Sequence, residues 1–179
     1  MPPPPPPPAA PDADDPPVEL VRLTAVPLAD VTALLAEPRN ARHLPLARGA
    51  VTAGSTAAWV RGKDALWAAD GYGPWAILLD GAFAGWGGFQ REDHGPDLAL
   101  VLRPECWGAG AIVTRVLLRR GFDDLGFTAV TTALPRTRNP DRAVARLGFE
   151  PAGETAFDQV PFRLYRLTRE RWRQVDRAG

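Results

Sequence analysis

The segment from Leu98 to Arg120 constrains the fold more than any other part of the sequence. It opens with a short apolar run, Leu98-Ala99-Leu100-Val101-Leu102, which is bounded by prolines and is too uniformly apolar for a surface helix. The run therefore predicts a buried strand. Gly108 and Gly110 follow, and apolar residues then recur at helical spacing as far as Phe122. A strand, a glycine loop and a helix in this order predict backbone N–H groups aimed at a bound anion, here a phosphate.

Two common nucleotide-binding motifs do not fit this loop. A Walker loop requires a lysine directly after its glycines, and no lysine follows Gly110. A dinucleotide-binding fingerprint requires a third glycine at the position of Val113. A pair of glycines before a helix is also typical of a plain turn, so the loop has to be interpreted together with the rest of the chain.

The sequence Trp107-Gly108-Ala109-Gly110, in this setting, resembles the acyl-CoA pyrophosphate loop of the GNAT acetyltransferases. The resemblance covers roughly Val21 to Leu167 and is to the branch that includes the ribosomal-protein N-terminal acetyltransferases. Its other parts are Arg22-Leu23-Thr24 with Pro27-Leu28 (first strand and helix), Glu37 to Leu44 (acceptor-side loop), Gly73 to Ile77 with Phe83 to Gly88 (central hairpin), and Leu147-Gly148-Phe149 with Gly153-Glu154 (closing helix and next strand). This resemblance implies an α/β (α+β) fold with a mixed, mainly antiparallel sheet. The sheet is expected to be splayed at the acyl-CoA site and flanked by helices.

Length and composition indicate one domain and exclude several classes of protein. The 179 residues carry a formal net charge of zero, so no bulk field favours nucleic acid or an anionic membrane as a partner. No apolar run approaches the length of a membrane span, and a single cysteine excludes an internal disulfide framework. Because no secretory signal is visible, we expect the protein in the cytoplasm.

The N-terminal segment differs in kind from the rest. Residues 1–17 combine an unbroken proline tract with aspartates, and they lack the apolar groups needed to offset the entropy of ordering. They predict a disordered tail, and residues 18–179 form the predicted domain. The alternative is that the proline tract is a ligand for an aromatic-lined groove.

The domain divides into alternating strands and helices. Predicted strands are Val18–Val26, Trp75–Leu79, Ala82–Gln90, Thr128–Leu134 and Pro161–Leu167. Predicted helices are Leu28–Glu37, one capped by Ser55 or Thr56 and running to Ala69, and one from Asn139 or Asp141 to Leu147. Asp80-Gly81 is the strongest hairpin signal in the chain.

The resemblance assigns acetyl-CoA as the co-substrate, with no metal. The backbone of the strand is expected to pair with the pantetheine arm and to supply a donor to the thioester oxygen. The implied acyl-CoA contacts are Leu100, Val101, Leu102, Trp107, Gly108, Ala109, Gly110, Ala111, Ile112, Thr137 and Asn139. The family usually has arginine or glutamine at Trp107, where tryptophan is acceptable in this branch, and a small residue at Ile112, which is the sharper departure. Candidate cations for the nucleotide are Arg103, Arg115, Arg119, Arg136 and Arg138, and a solvated arginine face is the alternative.

Few residues are candidates for proton transfer. Asp97 stands where the family carries an acidic residue at the start of the acyl-CoA strand, so it is the first candidate for a water-mediated catalytic base. A simple turn aspartate is the alternative. Glu105 is the second catalytic candidate. His94 lies in a turn and is expected to be exposed to solvent, and His43 is expected to shape the acceptor side.

The proton donor to the leaving thiolate is not evident. Many family members carry a tyrosine at the position of Val144, and water is the remaining donor. Cys106 would need a base partner to act as a covalent nucleophile, and no Cys–His arrangement is readable. A lone cysteine is more often a small buried apolar residue.

The sequence thus predicts an N-acetyltransferase that moves an acetyl group from acetyl-CoA to a primary amine by direct attack in a ternary complex. The resemblance favours a protein or peptide N-terminus as the acceptor, and small-molecule amines remain open. A non-catalytic acyl-CoA-binding or sensor module is the alternative function. The resemblance is also compatible with a homodimer.

Overall fold

The computed structural model describes residues 17–41, 49–136 and 141–177. Its strands are β1 (Val18–Arg22), β2 (Pro74–Leu79), β3 (Ala82–Glu92), β4 (Gly95–Leu102), β5 (Ala129–Pro135), β6 (Glu150–Phe157) and β7 (Val160–Thr168). Its helices are α1 (Leu28–Leu35), α2 (Pro38–Ala41), α3 (Ala53–Asp70), α4 (Gly110–Arg119), α5 (Asp141–Arg146) and α6 (Arg169–Asp176). Short 3-10 turns cover Leu23–Ala25 and Pro104–Ala109, and a π-helical turn covers Arg120–Asp124. The predicted tail lies almost wholly outside the described residues and stays a prediction.

The strands form one seven-stranded sheet in the order β1-β2-β3-β4-β5-β7-β6. Neighbouring strands are antiparallel except β4 and β5, which are parallel. The predicted mixed, mainly antiparallel sheet with flanking helices is therefore confirmed.

The sheet opens between β4 and β5. The ladder between these strands consists, within the described residues, of the single pair Asp97↔Thr131. Two threonine side chains of β5 reinforce this end, because Thr131 Oγ1 donates to the Pro96 carbonyl at 3.2 Å and Thr132 Oγ1 donates to the Leu98 carbonyl at 2.9 Å. No ladder pair joins the two strands beyond this end within the described residues, which is the arrangement expected of the predicted splay.

Turn chemistry explains where several elements begin and end. The Asp80-Gly81 hairpin is confirmed, with both residues at positive φ (49° and 77°). Helix α3 is capped by Thr52, whose hydroxyl accepts from the Ser55 N–H at 3.1 Å, while the Ser55 hydroxyl accepts from the Thr52 N–H at 2.9 Å. The prediction of Ser55 or Thr56 as the cap was therefore wrong, because this reciprocal pair starts the helix earlier.

Each face of the sheet packs against its own helices. We call one layer the α4-side core; it includes Phe89, Leu98 and Leu117. The other layer, the α3-side core, includes Val60, Trp86 and Val101 and covers the opposite face. Side chains therefore alternate along β4 between the two layers, as the pleat of a strand requires.

Helix α4 lies unusually close to the sheet. A Cβ added to Gly87 of β3 would lie 3.0 Å from Leu117 Cδ1, and one added to Gly121 would lie 2.6 Å from Phe89 Cζ. Only glycine fits at these two contacts without displacing a neighbour. The close packing holds the C-terminal part of α4 and the turn after it against β3.

The sequence did not predict α6. Only Trp172 and Val175 carry a large apolar side chain in this helix, which is too few for a periodic pattern. The structure buries Trp172 to 2% exposure with its ring 6.1 Å from that of Phe122. None of the described helices combines the length and apolar character needed to cross a bilayer.

Candidate active site

The edge of β4 that faces the opening carries backbone groups of alternate residues. The Leu98 carbonyl faces β5, where a threonine hydroxyl donates to it, whereas the Arg103 N–H faces β3 and donates to a carbonyl there. Because backbone groups alternate along a strand, those of Leu100 and Leu102 face the opening and those of Val101 face β3. Among the described residues β5 offers Leu100 no ladder partner. Its N–H and carbonyl are the strand's candidates for contact with a bound molecule.

The Leu102 carbonyl joins three parts of the site. The side-chain amide of Asn40, from α2, donates to it at 3.2 Å, and the indole N–H of Trp107 donates to it at 3.2 Å. Asn40 is only 3% exposed, although it is polar. These bonds hold α2 and the segment after β4 against the open end of the strand.

The predicted glycine loop has a different form from the one expected. A 3-10 turn over Pro104–Ala109 leads directly into α4 at Gly110, whose φ is −56°, so an unusual backbone angle is not the reason for this glycine. Ala109 gives the first turn of α4 no side-chain cap, and the Gly110 N–H donates to the Trp107 carbonyl, so the N–H groups of the residues after Gly110 are the candidates for an anion. A Cβ added to Gly108 or Gly110 would meet nothing within 4 Å. The helix start is thus open to a ligand and fits a phosphate group.

Trp107 and Ile112, the two departures from the family pattern, affect the site differently. Trp107 is 48% exposed at the mouth of the opening. Ile112 is half-buried and packs against the α4-side core, and Ala111 beside it is exposed. Since the Ile112 side chain points into the core, it does not obstruct the free N–H groups at the helix start.

Asp97 lies at the closed end of the opening and is only 8% exposed. Its Oδ1 lies 3.2 Å from His94 Nε2 and 3.2 Å from Thr131 Oγ1, whose single proton is shared between this carboxylate and the Pro96 carbonyl. Burial raises the pKa of this carboxyl, while hydrogen bonds from His94, Thr131 and the Ala133 N–H act in the opposite direction. A buried carboxylate next to an imidazole is a group that can exchange protons with a neighbour.

The expectation that His94 is exposed to solvent was wrong. Its side chain is 18% exposed, and its ring packs edge-on against Phe157 of β6 with centroids 6.3 Å apart. The turn between β3 and β4 folds the ring back onto Asp97 instead of projecting it outward.

The sequence also matches the model of the acetyltransferase (GNAT) domain over residues 18–150. This chain belongs to the GNAT acetyltransferases. It is therefore an acyl-CoA-dependent acyltransferase, and the opening between β4 and β5 is the candidate acyl-CoA site. The likeness to the ribosomal-protein branch remains a resemblance.

Solved structures share the fold across nearly the whole chain. An acetyltransferase from Agrobacterium tumefaciens is 20% identical, with 85% of this chain and 91% of that chain covered and a TM-score of 0.69. A GNAT-family acetyltransferase from Bacillus anthracis is 13% identical, with 86% and 95% covered and a TM-score of 0.69. Aminoglycoside acetyltransferase AAC(6')-Ib in complex with ribostamycin and coenzyme A is 17% identical, with 90% and 97% covered and a TM-score of 0.72. No curated protein matches the sequence.

The arginines proposed for the nucleotide of acetyl-CoA differ in availability. Three are bound to neighbours: Arg103 to a β3 carbonyl at 3.2 Å, Arg119 to a carboxylate of α6 at 3.0 Å, and Arg136 to a carboxylate of β6. Arg115 of α4 has no partner among the described residues, and Arg138 lies outside them. Arg115 is thus the α4 arginine that no described residue engages.

Glu105 and Cys106 occupy the mouth of the acetyltransferase site, at the opposite end of β4 from Asp97. The Glu105 side chain is 63% exposed and lies 3.4 Å from Arg103 Nε. Burial and the neighbouring Glu105 charge both raise the pKa of the Cys106 thiol, which keeps it protonated and weakly nucleophilic. Neither residue is near the closed end of the opening.

The position at which many GNAT enzymes carry a tyrosine is apolar here. Val144 lies on α5, is 8% exposed and belongs to the α4-side core. It cannot donate a proton to a thiolate. Thr137 and Asn139, the other two predicted CoA contacts, lie outside the described residues, as does His43.

Proposed function

We propose that this GNAT enzyme is an acetyl-CoA-dependent N-acetyltransferase that acetylates a primary amine by direct attack in a ternary complex. The observation that carries the proposal is the opening between β4 and β5, which ends in an uncapped helix start at one side and in a buried carboxylate at the other. The first feature suits a phosphorylated co-substrate, and the second suits an amine that must lose a proton.

The backbone does most of the binding in this proposal. The free N–H groups at the start of α4 hold the pyrophosphate, and Gly108 and Gly110 leave room for it. The Leu100 N–H, which faces the opening, donates to the thioester oxygen as negative charge develops there. A donor placed in this way contributes about 3–4 kcal/mol of transition-state stabilisation.

The pair of Asp97 and His94 receives the proton of the attacking amine through a water molecule. The nitrogen–carbon bond forms while the carbon–sulfur bond breaks, and the departing thiolate takes a proton from water because Val144 has none to give. Asp97 remains the catalytic residue of first choice. Glu105, exposed at the other end of β4, is the weaker candidate.

The buried Val144 favours one rival function, a non-catalytic acyl-CoA sensor. Such a module would retain the phosphate-binding helix start and lose proton-transferring groups. We prefer the enzyme because the chain matches the acetyltransferase (GNAT) domain over residues 18–150.

The acceptor is a protein N-terminus or a small-molecule amine in this proposal. We place the protein in the cytoplasm, without a nucleic-acid or membrane partner, and a homodimer is compatible with its function. Zero net charge supports the absence of polyanionic partners.

The test compares acetyl-CoA binding with product formation. Calorimetry measures the affinity for acetyl-CoA, and mass spectrometry detects acetylated product from a panel of peptides and small amines. Acetylation of at least one amine, reduced about 100-fold in Asp97→Asn but not in an exposed control such as Asp93→Asn, supports the enzyme. Binding without product from any amine identifies a sensor, and absence of binding contradicts both functions.

A further inference from the structure

The chain's one lysine, Lys63, lies between two indole rings. It projects from α3, and its Nζ is 5.7 Å from the ring centroid of Trp59 and 5.7 Å from that of Trp86. Its ammonium also donates to the side-chain oxygen of Gln90 on β3. Both rings are within cation–π range, and they contact each other edge-on with centroids 5.2 Å apart. A cation is thus fixed inside an aromatic pocket.

The Lys63 charge is not fully compensated. Within the described residues Lys63 forms no ion pair, and its hydrogen-bond partner Gln90 is neutral. Burial lowers the pKa of Lys63, and the more distant charge of Glu92 offsets this only in part. An ammonium has three donors, so the pocket retains capacity for an anion.

Two buried polar groups on the same side of the sheet also have no partner. The indole N–H of Trp86 and the hydroxyl of Thr56 are buried and make no hydrogen bond within the described residues. Trp86 is 7% exposed and Thr56 is 1% exposed. Thr56, Trp59 and Lys63 recur at helical spacing, so they share the face of α3 that is turned to the sheet. A buried donor without a partner is rare, and a ligand is one way to satisfy it.

This pocket lies one strand away from the opening. Trp86 pairs with Val101 of β4, and Gln90 pairs with Asp97. Ala99 and Val101 pack in the α3-side core, and because side chains alternate, the Asp97 side chain lies on the same face of the sheet. Lys63, which donates to Gln90, therefore lies on the same face of the sheet as Asp97, and Trp86 lies four residues further along β3.

We propose that Lys63 and the Trp86 indole N–H bind the carboxylate of the acceptor, so that the acceptor is an amine that also carries a carboxylate, such as an amino acid. This inference rests on the proposed N-acetyltransferase function and specifies its acceptor. A carboxylate offers two oxygens for the two donors, and its charge neutralises the buried ammonium. An acceptor without a carboxylate leaves Lys63 unpaired.

The same pocket discriminates against polycationic acceptors. A polyamine or an aminoglycoside such as ribostamycin, bound in the AAC(6')-Ib structure, would bring additional positive charge toward the fixed ammonium of Lys63. A peptide N-terminus has an amide where a free amino acid has its carboxylate, so it lacks the group that Lys63 recognises.

The experiment uses matched acceptors that differ only in the carboxylate. The full-length protein is assayed by thioester loss with each free amino acid and with its amide. For the preferred side chain we expect the acid to exceed the amide in kcat/KM by about 10- to 100-fold, the effect of one charge-assisted contact. Lys63→Met should remove this preference by raising KM for the acid, with kcat and the amide rate little changed. Arg61→Met, an exposed neighbour on α3, is the matched control.

The outcomes are distinct. Amides, polyamines or peptide N-termini that react as well as free amino acids overturn the inference and leave the proposed function intact. A preference for the acid that survives in Lys63→Met also overturns it. If no amine reacts, the proposed function fails, and the pocket is tested separately with CoA present. An N-acetylamino acid should then raise the melting temperature of the wild type but not that of Lys63→Met. The corresponding amide should raise neither. Equal shifts for the acid and the amide, or for the two proteins, overturn the inference.

Discussion

The two donors to the Leu102 carbonyl allow a quantitative test of how the site is held together. Asn40→Ala removes one donor, and Trp107→Phe removes the other while keeping an aromatic ring. Each single variant leaves the carbonyl with one donor at 3.2 Å. Loss of a neutral hydrogen bond costs about 0.5–1.5 kcal/mol. We expect a loss of about 1–2 kcal/mol for Asn40→Ala, whose side chain is also buried, and of about 0.5–1 kcal/mol for Trp107→Phe.

The double variant, Asn40→Ala with Trp107→Phe, tests whether the two donors act together. It leaves the carbonyl of Leu102, a residue 4% exposed, without either donor. An unsatisfied buried carbonyl costs about 1–3 kcal/mol, so the double variant should lose about 1–2 kcal/mol more than the sum of the single variants.

Urea unfolding of the four proteins measures this excess directly. The comparison is valid only if the dependence of free energy on urea is the same in all four. A melting-temperature deficit of about 2–4 °C per kcal/mol provides a second estimate. Losses that add within about 0.5 kcal/mol would show that the two donors act independently, and the joining role of Leu102 would be refuted.

Four further predictions follow from the site. Gly108→Val should weaken acetyl-CoA binding without lowering the melting temperature, because its side chain enters open space at the helix start; a calorimetric affinity within about twofold of wild type contradicts the phosphate assignment. A chain that begins at Val18 should keep its melting temperature and acetyl-CoA affinity, and a clear fall in either would show that the preceding segment docks on the domain. Asp97→Asn should reduce turnover by about 100-fold at unchanged acetyl-CoA affinity, whereas Cys106→Ala should stay within a few-fold of wild type; the reverse order would indicate a covalent route. Burial lowers the pKa of Lys63, so the unfolded chain holds this proton more tightly than the folded chain does. The free energy of unfolding of the wild type should therefore increase as pH rises from the lowered pKa toward about 10.4. Lys63→Met should lack that increase in urea titrations across the same range, and equal pH slopes would argue against a desolvated ammonium.

Local signals in the sequence predicted the elements that form the acyl-CoA site. The apolar run before Pro104 predicted β4, and the periodic apolar residues after Gly110 predicted α4, both close to their observed bounds. Asp80-Gly81 predicted its hairpin because two residues at positive φ favour that dipeptide. These features depend on neighbours along the chain, so a single sequence is sufficient to recognise them.

Features that depend on distant contacts were not predictable. His94 was expected in solvent because a turn sequence does not show that the ring folds back onto Asp97. The pocket around Lys63 joins α3 to β3, and no local pattern in the sequence indicates it. The 3-10 turn before Gly110 was likewise missed, since two glycines fit an open loop equally well.

The nearly absent ladder between β4 and β5 also affects how fast backbone amide protons exchange with solvent. Amide protons on the facing edges of these strands lack the cross-strand bonds that protect the rest of the sheet, so they can exchange with solvent through small local fluctuations. A co-substrate arm lying between the strands would replace those bonds and link the two halves of the sheet. Native-state hydrogen exchange should therefore report binding most strongly at Leu100 and along β5, as slower exchange in a region that the free protein leaves unprotected. Binding of the co-substrate would thus complete the hydrogen bonding of the sheet between β4 and β5.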